Sequence, residues 1–132
     1  MFENRSWVTA EEIAADVREN LERGDESPAL RLLIDGVNRL PFAAQDGSLG
    51  EALSEPATTG DPRWDLLLAA SIRYRLHQMS ETAPAWTAKE PLGTFWWPVK
   101  AGGARAVCDM ANTPAELKRL GVFISRRDFA QA

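Results

Sequence analysis

Apolar and polar positions follow a helical period in several separate stretches of this chain. The clearest runs from Asp61 to Met79. There Leu68, Ile72, Leu76 and Met79 recur at steps of four, four and three. Trp64, Leu66 and Leu67 widen that stripe until the first two turns are apolar nearly all round. Such a helix needs neighbours on several sides and belongs at the centre of a fold. Asp61 suits the N-cap, because its carboxylate accepts from the unpaired amides of the first turn. Pro62 suits the next position, where no amide hydrogen is needed. The second half differs: Arg73, Tyr74, Arg75 and His77 form a basic rim rich in hydrogen-bonding groups.

Upstream, Thr9-Ala10-Glu11-Glu12 is a capping box in which the Thr9 hydroxyl and the Glu12 side chain each satisfy the other's backbone amide. The helix it opens buries Ile13, Val17 and Leu21 and ends near Arg23 with Gly24 as the stop. Glu11, Glu12, Asp16, Glu19 and Glu22 mark its solvent face, and Trp7 or Val8 can staple onto Ile13. Ser27-Pro28 predicts the cap and first residue of a second helix. Its stripe is Leu30, Leu33, Ile34, Val37 and Leu40, with Pro41 as the terminator. The link from Gly24 to Ser27 is short, which predicts an antiparallel hairpin. Residues 41–60 are small and polar and read as a surface connection, with one short helical turn at Leu49 and Leu53.

Downstream of the central helix, Thr82-Ala83-Pro84-Ala85-Trp86 breaks regular structure, since the residue before a proline is pushed out of the helical region. Phe95, Trp96 and Trp97 are adjacent, so they cannot all face one way. At least one packs inward while another sits at an edge. Ala101-Gly102-Gly103 reads as a turn, and Ala104 to Cys108 as either a returning strand or a helix start. Thr113-Pro114-Ala115-Glu116 predicts a further cap, with Thr113 as N-cap and Pro114 at the first position. Leu117 and Leu120 are then buried and Gly121 ends the helix. Val122-Phe123-Ile124 is strand-like, and Ser125-Arg126-Arg127-Asp128 opens a last turn carrying Phe129. The expected fold is a single, mainly α domain spanning residues 1–132 around one central buried helix, with room for a minor β-hairpin near the C-terminus.

Composition narrows the chemistry more than the fold. A chain of 132 residues with 45% apolar content can bury a real core. No apolar run approaches membrane-spanning length, and the first residues lack the layout of a signal peptide. The single cysteine, Cys108, excludes an internal disulfide and favours a reducing cytoplasm. Residues 1–60 carry 12 acids and 5 bases, residues 61–132 carry 7 acids and 10 bases, and the net charge is −4. The first half should repel nucleic acid, and the second is only mildly basic.

No catalytic signature emerges. One His and one Cys cannot build a zinc site, which takes about four nitrogen or sulfur ligands. No acidic cluster repeats along an apolar helix face, so neither a metal nor a cofactor is expected. His77 and Cys108 lack any motif around them. His77 is better placed as a cation at the end of its helix, and Cys108 as a small buried apolar residue. Gly102-Gly103 lacks the hydroxyl spacing of a phosphate loop. The tryptophans say more: Trp86, Trp96 and Trp97 fall within twelve positions, and Arg73, Tyr74 and Arg75 supply the other residue types typical of binding hot spots. These six are the candidate partner-binding residues. Core wedging is the competing account of the tryptophans.

Four segments carry a resemblance: Thr59-Gly60-Asp61-Pro62-Arg63-Trp64-Asp65-Leu66-Leu67-Leu68-Ala69-Ala70, Ala83-Pro84-Ala85-Trp86-Thr87, Phe95-Trp96-Trp97-Pro98, and Thr113 to Ser125. In that order they resemble actinobacterial proteins of toxin–antitoxin type, over about residues 25–132. In those proteins a similar helical region often follows an N-terminal helix-turn-helix domain, for which this sequence leaves no room. The resemblance implies a non-enzymatic antitoxin-like protein that neutralises a neighbouring toxin, of nucleotidyltransferase-like type, by direct protein contact. It transfers no functional residues. One alternative is a nucleic-acid-binding regulator using Arg73, Arg75, Lys118, Arg119, Arg126 and Arg127. The other is a small enzyme using His77 or Cys108.

Overall fold

The computed structural model describes residues 5–99 and 103–130 and is mainly helical. In chain order the elements are α1 (Ala10–Glu22), α2 (Glu26–Val37), α3 (Leu40–Gln45), α4 (Leu49–Ala52), α5 (Pro62–Gln78), a 3-10 turn (Ala85–Thr87), α6 (Gly103–Asn112), α7 (Ala115–Lys118) and α8 (Arg126–Ala130). The long helix α5 is the centre, packed against α2, α7 and the 3-10 turn. Its cap is as the sequence predicts: Asp61 is extended, accepts from the Arg63 amide at 2.9 Å, and Pro62 follows. Trp64, Leu67, Leu68, Ile72 and Leu76 are buried on it, and Ala69, Ala70 and Ser71 are buried between them.

The capping box of α1 forms in both directions, Glu12 amide to Thr9 at 3.0 Å and Thr9 amide to Glu12 at 2.8 Å. Gly24 takes a positive φ of 77° and turns the chain into α2. The two helices pack closely, and the closeness has a cause. Gly36 is buried on α2, and a methyl placed on it would lie 2.6 Å from Cγ1 and 2.7 Å from Cδ1 of Ile13. Trp7 is buried ahead of α1, and its indole N–H donates to Asp46 at 2.7 Å, tying the chain start to the turn after α3.

Several boundaries differ from the expectation, each for a physical reason. The second helix starts at Glu26 rather than at Pro28, so Ser27 does not act as its N-cap. Proline is tolerated anywhere in the first turn, because those amides have no intrahelical partner. The same reason reverses the role of Pro41, which lies at the start of α3 instead of ending α2. Thr113 does not cap α7. Its hydroxyl donates back to the Asp109 carbonyl, closing the end of α6, and Pro114 takes the cap position. Residues 104–108 are helical, within α6, and the described residues contain no β-hairpin. The strand-like run keeps one trace: an isolated parallel bridge between Trp96 and Val122. Ala101 and Gly102 of the expected turn lie outside the described residues, and Gly103 begins α6.

Two predictions follow from this packing. Gly36→Ala should destabilise through overpacking by about 1–3 kcal/mol, less the roughly 1 kcal/mol that alanine gains over glycine in a helix. In an Ile13→Ala background, which removes the two nearest carbons and leaves only Cγ2 of Val8 at 3.3 Å, most of that penalty should vanish. Denaturant melts of the four-member cycle measure the coupling. The second prediction concerns Asp61, whose carboxyl is held below its ordinary value of 3.8, chiefly by the side-chain hydrogen bond from Arg63, with partial burial opposing. Because folding lowers this pKa, its stabilisation is complete above the ordinary value and lost as pH falls through the lowered one. Asp61→Ala should therefore cost about 0.5–2 kcal/mol at neutral pH, and the gap to the parent should close in melts taken below the carboxylate range.

Candidate functional site

The segment 92–97 bends at Gly93 and Thr94 and then runs extended from Phe95 to Trp97 beside residues 120–123. Leu92 donates to the Leu120 carbonyl at 3.0 Å, Trp96 to that of Gly121 at 2.9 Å, and Phe123 back to that of Trp96 at 2.9 Å. Gly121 permits this pairing: its φ is 84°, and an added Cβ would stand 3.3 Å from the Thr94 carbonyl oxygen. An extended backbone sends successive side chains to opposite faces, and the three adjacent aromatics obey that rule. Trp96 turns inward, edge-on to Trp64 with ring centroids 5.6 Å apart, and the Arg63 guanidinium lies 5.0 Å over its ring. Phe95 and Trp97 go the other way and meet on Phe123, each at 5.1 Å, with 6.5 Å between them. The Trp97 indole donates to the Ala106 carbonyl at 3.2 Å, fixing the ledge against α6.

Phe95 is 65% exposed although its ring is held edge-to-face by two other rings. Val107, next in the chain to the Ala106 that Trp97 touches, is equally exposed. Phe95, Trp97 and Phe123 form an aromatic ledge that Trp97 joins to α6. Phe123 supports it from below and is itself buried. Its role could have been read from the alternation in Val122-Phe123-Ile124, where the outer two residues join the main core and the middle one does not.

The other nominated side chains are engaged inside the molecule. Arg73 donates to the Thr87 hydroxyl at 3.0 Å and so ties α5 to the 3-10 turn. Tyr74 packs on Phe129 of α8 at 5.2 Å. Arg75 donates to Asn38 and, at 2.9 Å, to Gln78, while Asn38 donates to the Phe129 carbonyl at 2.7 Å. Trp86 donates to the Leu53 carbonyl at 2.8 Å. It walls a small cleft of about 150 Å³ with Asp65 and Lys89. The Asp65 carboxylate in that cleft is already taken by both Thr58 and Thr59.

His77 and Cys108 share no hydrogen bond among the described residues. His77 pairs through Nδ1 with Glu116 of α7 at 2.5 Å, and Cys108 lies on the solvent face of α6, not in the core as its residue type suggested. The helix containing it turns that face outward because Asp109 occupies the buried position. No group of three or more His, Cys, Asp or Glu side chains among the described residues is placed to hold a metal. No helix among them is long and apolar enough to cross a membrane. Comparison with protein-family models, with curated proteins and with solved structures gave no match to this chain.

Truncating the two phenylalanines of the ledge should separate its exposed layer from its support. Phe95→Ala should change stability by no more than about 0.5 kcal/mol, as surface substitutions do. Phe123→Ala should cost about 3–5 kcal/mol through lost burial and a cavity. Equal losses on thermal or denaturant unfolding would mean that Phe95 is packing rather than ledge.

Proposed function

We propose that this chain is a non-enzymatic, cytoplasmic protein-binding module of antitoxin type, which silences a toxin encoded beside it by direct contact through the Phe95 ledge. The observation that carries the reading is an aromatic side chain mostly in solvent and yet pinned by Trp97 and Phe123. A partner would desolvate a ring that has little freedom left to lose, which is where binding energy is gained most readily. The resemblance of the segments around Trp64, Trp86, Trp96 and Leu117 to antitoxin-like proteins supplies the class of partner. The acidic residues 1–60, with 12 acids against 5 bases, favour a protein partner over nucleic acid. Trp97, half-buried, presents what remains of its ring beside Phe95 and extends the contact area.

Co-expression with the product of the adjacent gene tests this directly. The two should co-purify, the neighbour should be toxic when expressed alone, and Phe95→Ala should weaken the complex by about 2 kcal/mol, roughly thirtyfold, at unchanged melting temperature. A harmless neighbour that never co-elutes would sink the reading. A Phe95 variant that binds with parental affinity would move the interface elsewhere.

A further inference from the structure

A groove of about 460 Å³ separates α6 from α8, and its walls carry Arg105, Asp109 and Asn112 on one side and Ser125, Arg126 and Arg127 on the other. That volume lies within the usual range for small-molecule sites. Arg105, Asp109 and Asn112 stand at helical spacings of four and three, so they share one face of α6. Asp109 is 1% exposed, and its Oδ2 has no hydrogen-bond partner. Its Oδ1 accepts from Nε of Arg105 at 3.3 Å, while Oδ1 of Asp128 lies 3.8 Å from Nη2 of the same arginine. A buried carboxylate thus grips the inner edge of a guanidinium whose side chain is 45% exposed. Arg126 is steadied by donating to the Asn112 carbonyl at 3.2 Å. The Arg127 side chain is exposed and makes no ion pair among the described residues.

Three arginines therefore face one concave space against two carboxylates, Asp109 in its lining and Asp128 behind Arg105, in a chain whose net charge is −4. The planar guanidinium matches two oxygens of a phosphate at once, and a cleft of one charge sign concentrates the opposite ion. We propose that this groove binds a small phosphorylated ligand, with Arg105, Arg126 and Arg127 on its phosphate oxygens and Asp109 positioning Arg105. The site is separate from the Phe95 ledge, and it stands or falls without the toxin partner.

Calorimetric titration of the full chain with inorganic pyrophosphate at low ionic strength tests it. Saturable binding at one site per chain is expected. Arg127→Gln, at an exposed position, should weaken it about tenfold or more without lowering the melting temperature, and Arg126→Gln should weaken it as much with at most a small fall in melting temperature, since it loses the bond to the Asn112 carbonyl. Arg105→Lys should weaken it as much, since it keeps the charge and loses the fork, and its melting temperature reports separately on the lost grip of Asp109. Absence of a saturable heat at millimolar pyrophosphate would overturn the proposal, and so would parental affinity in the arginine variants. Equal binding of citrate would show that the groove does not select phosphate. Displacement of pyrophosphate by single-stranded RNA, with affinity falling steeply in salt, would assign the groove to nucleic acid instead.

Discussion

A helix that is apolar on nearly every side must be enclosed, and α5 imposes that requirement on the whole chain. Eight of its 17 residues are buried. Hydrophobic burial has no direction, so it can gather segments around α5 without fixing how each one sits. Direction comes from the second half of the same helix. Arg73 reaches Thr87, Tyr74 reaches Phe129, Arg75 reaches Asn38, and His77 reaches Glu116. Four consecutive polar or amphipathic positions, interrupted only by buried Leu76, each reach a different part of the fold. The rim that reads in sequence as a surface for a partner is also the set of struts orienting the helix's own neighbours.

The same division explains where an exposed aromatic can be held still. Gly121, with its positive φ, turns the chain after α7 so that residues 120–123 lie along 92–96. Trp96 is then drawn inward onto Trp64, and the backbone's period of two leaves Phe95 and Trp97 on the far side. Phe123 follows from the same alternation, since Val122 and Ile124 are committed to the core. The result is a second aromatic cluster outside the main one, sharing a backbone with it. Its geometry is set by main-chain pairing rather than by burial of Phe95 itself.

What was legible in the sequence was local. Thr9 with Glu12, Asp61 with Pro62, and the Leu68–Ile72–Leu76 stripe all act within one or two turns, so spacing alone specifies them. The mainly helical class followed from those stripes. What was not legible depended on partners far along the chain. Pro41 opens or closes a helix equally well by its own chemistry, and the packing of Leu40 and Ala43 into the core decides for opening. Thr113 has two backbone groups within reach, an amide ahead and a carbonyl behind, and takes the one behind. Cys108 has a core-like side chain on a face where Asp109 holds the inward position. For Arg73 and Arg75 the residue type signalled a hydrogen-bonding role correctly, but not that the partners include Thr87 and Asn38 of this same chain.

The helix α6 shows how differently two elements of one small domain can be fixed. Asp109 is its one buried residue among those described, so burial contributes little to its placement. Its position comes from polar ties to other parts of the chain: Trp97 to the Ala106 carbonyl, Arg105 to Asp128, and Arg126 to the Asn112 carbonyl. Partly exposed ion pairs and hydrogen bonds of this kind contribute on the order of 1 kcal/mol each, far less than a buried leucine. They are directional, however, and the three together orient the helix. That geometry holds Ala106 against Trp97 of the aromatic ledge and turns Arg105 toward α8. Both candidate surfaces therefore rest on the element that the hydrophobic core holds least, and their shapes are set by hydrogen-bond geometry rather than by the packing that stabilises the fold.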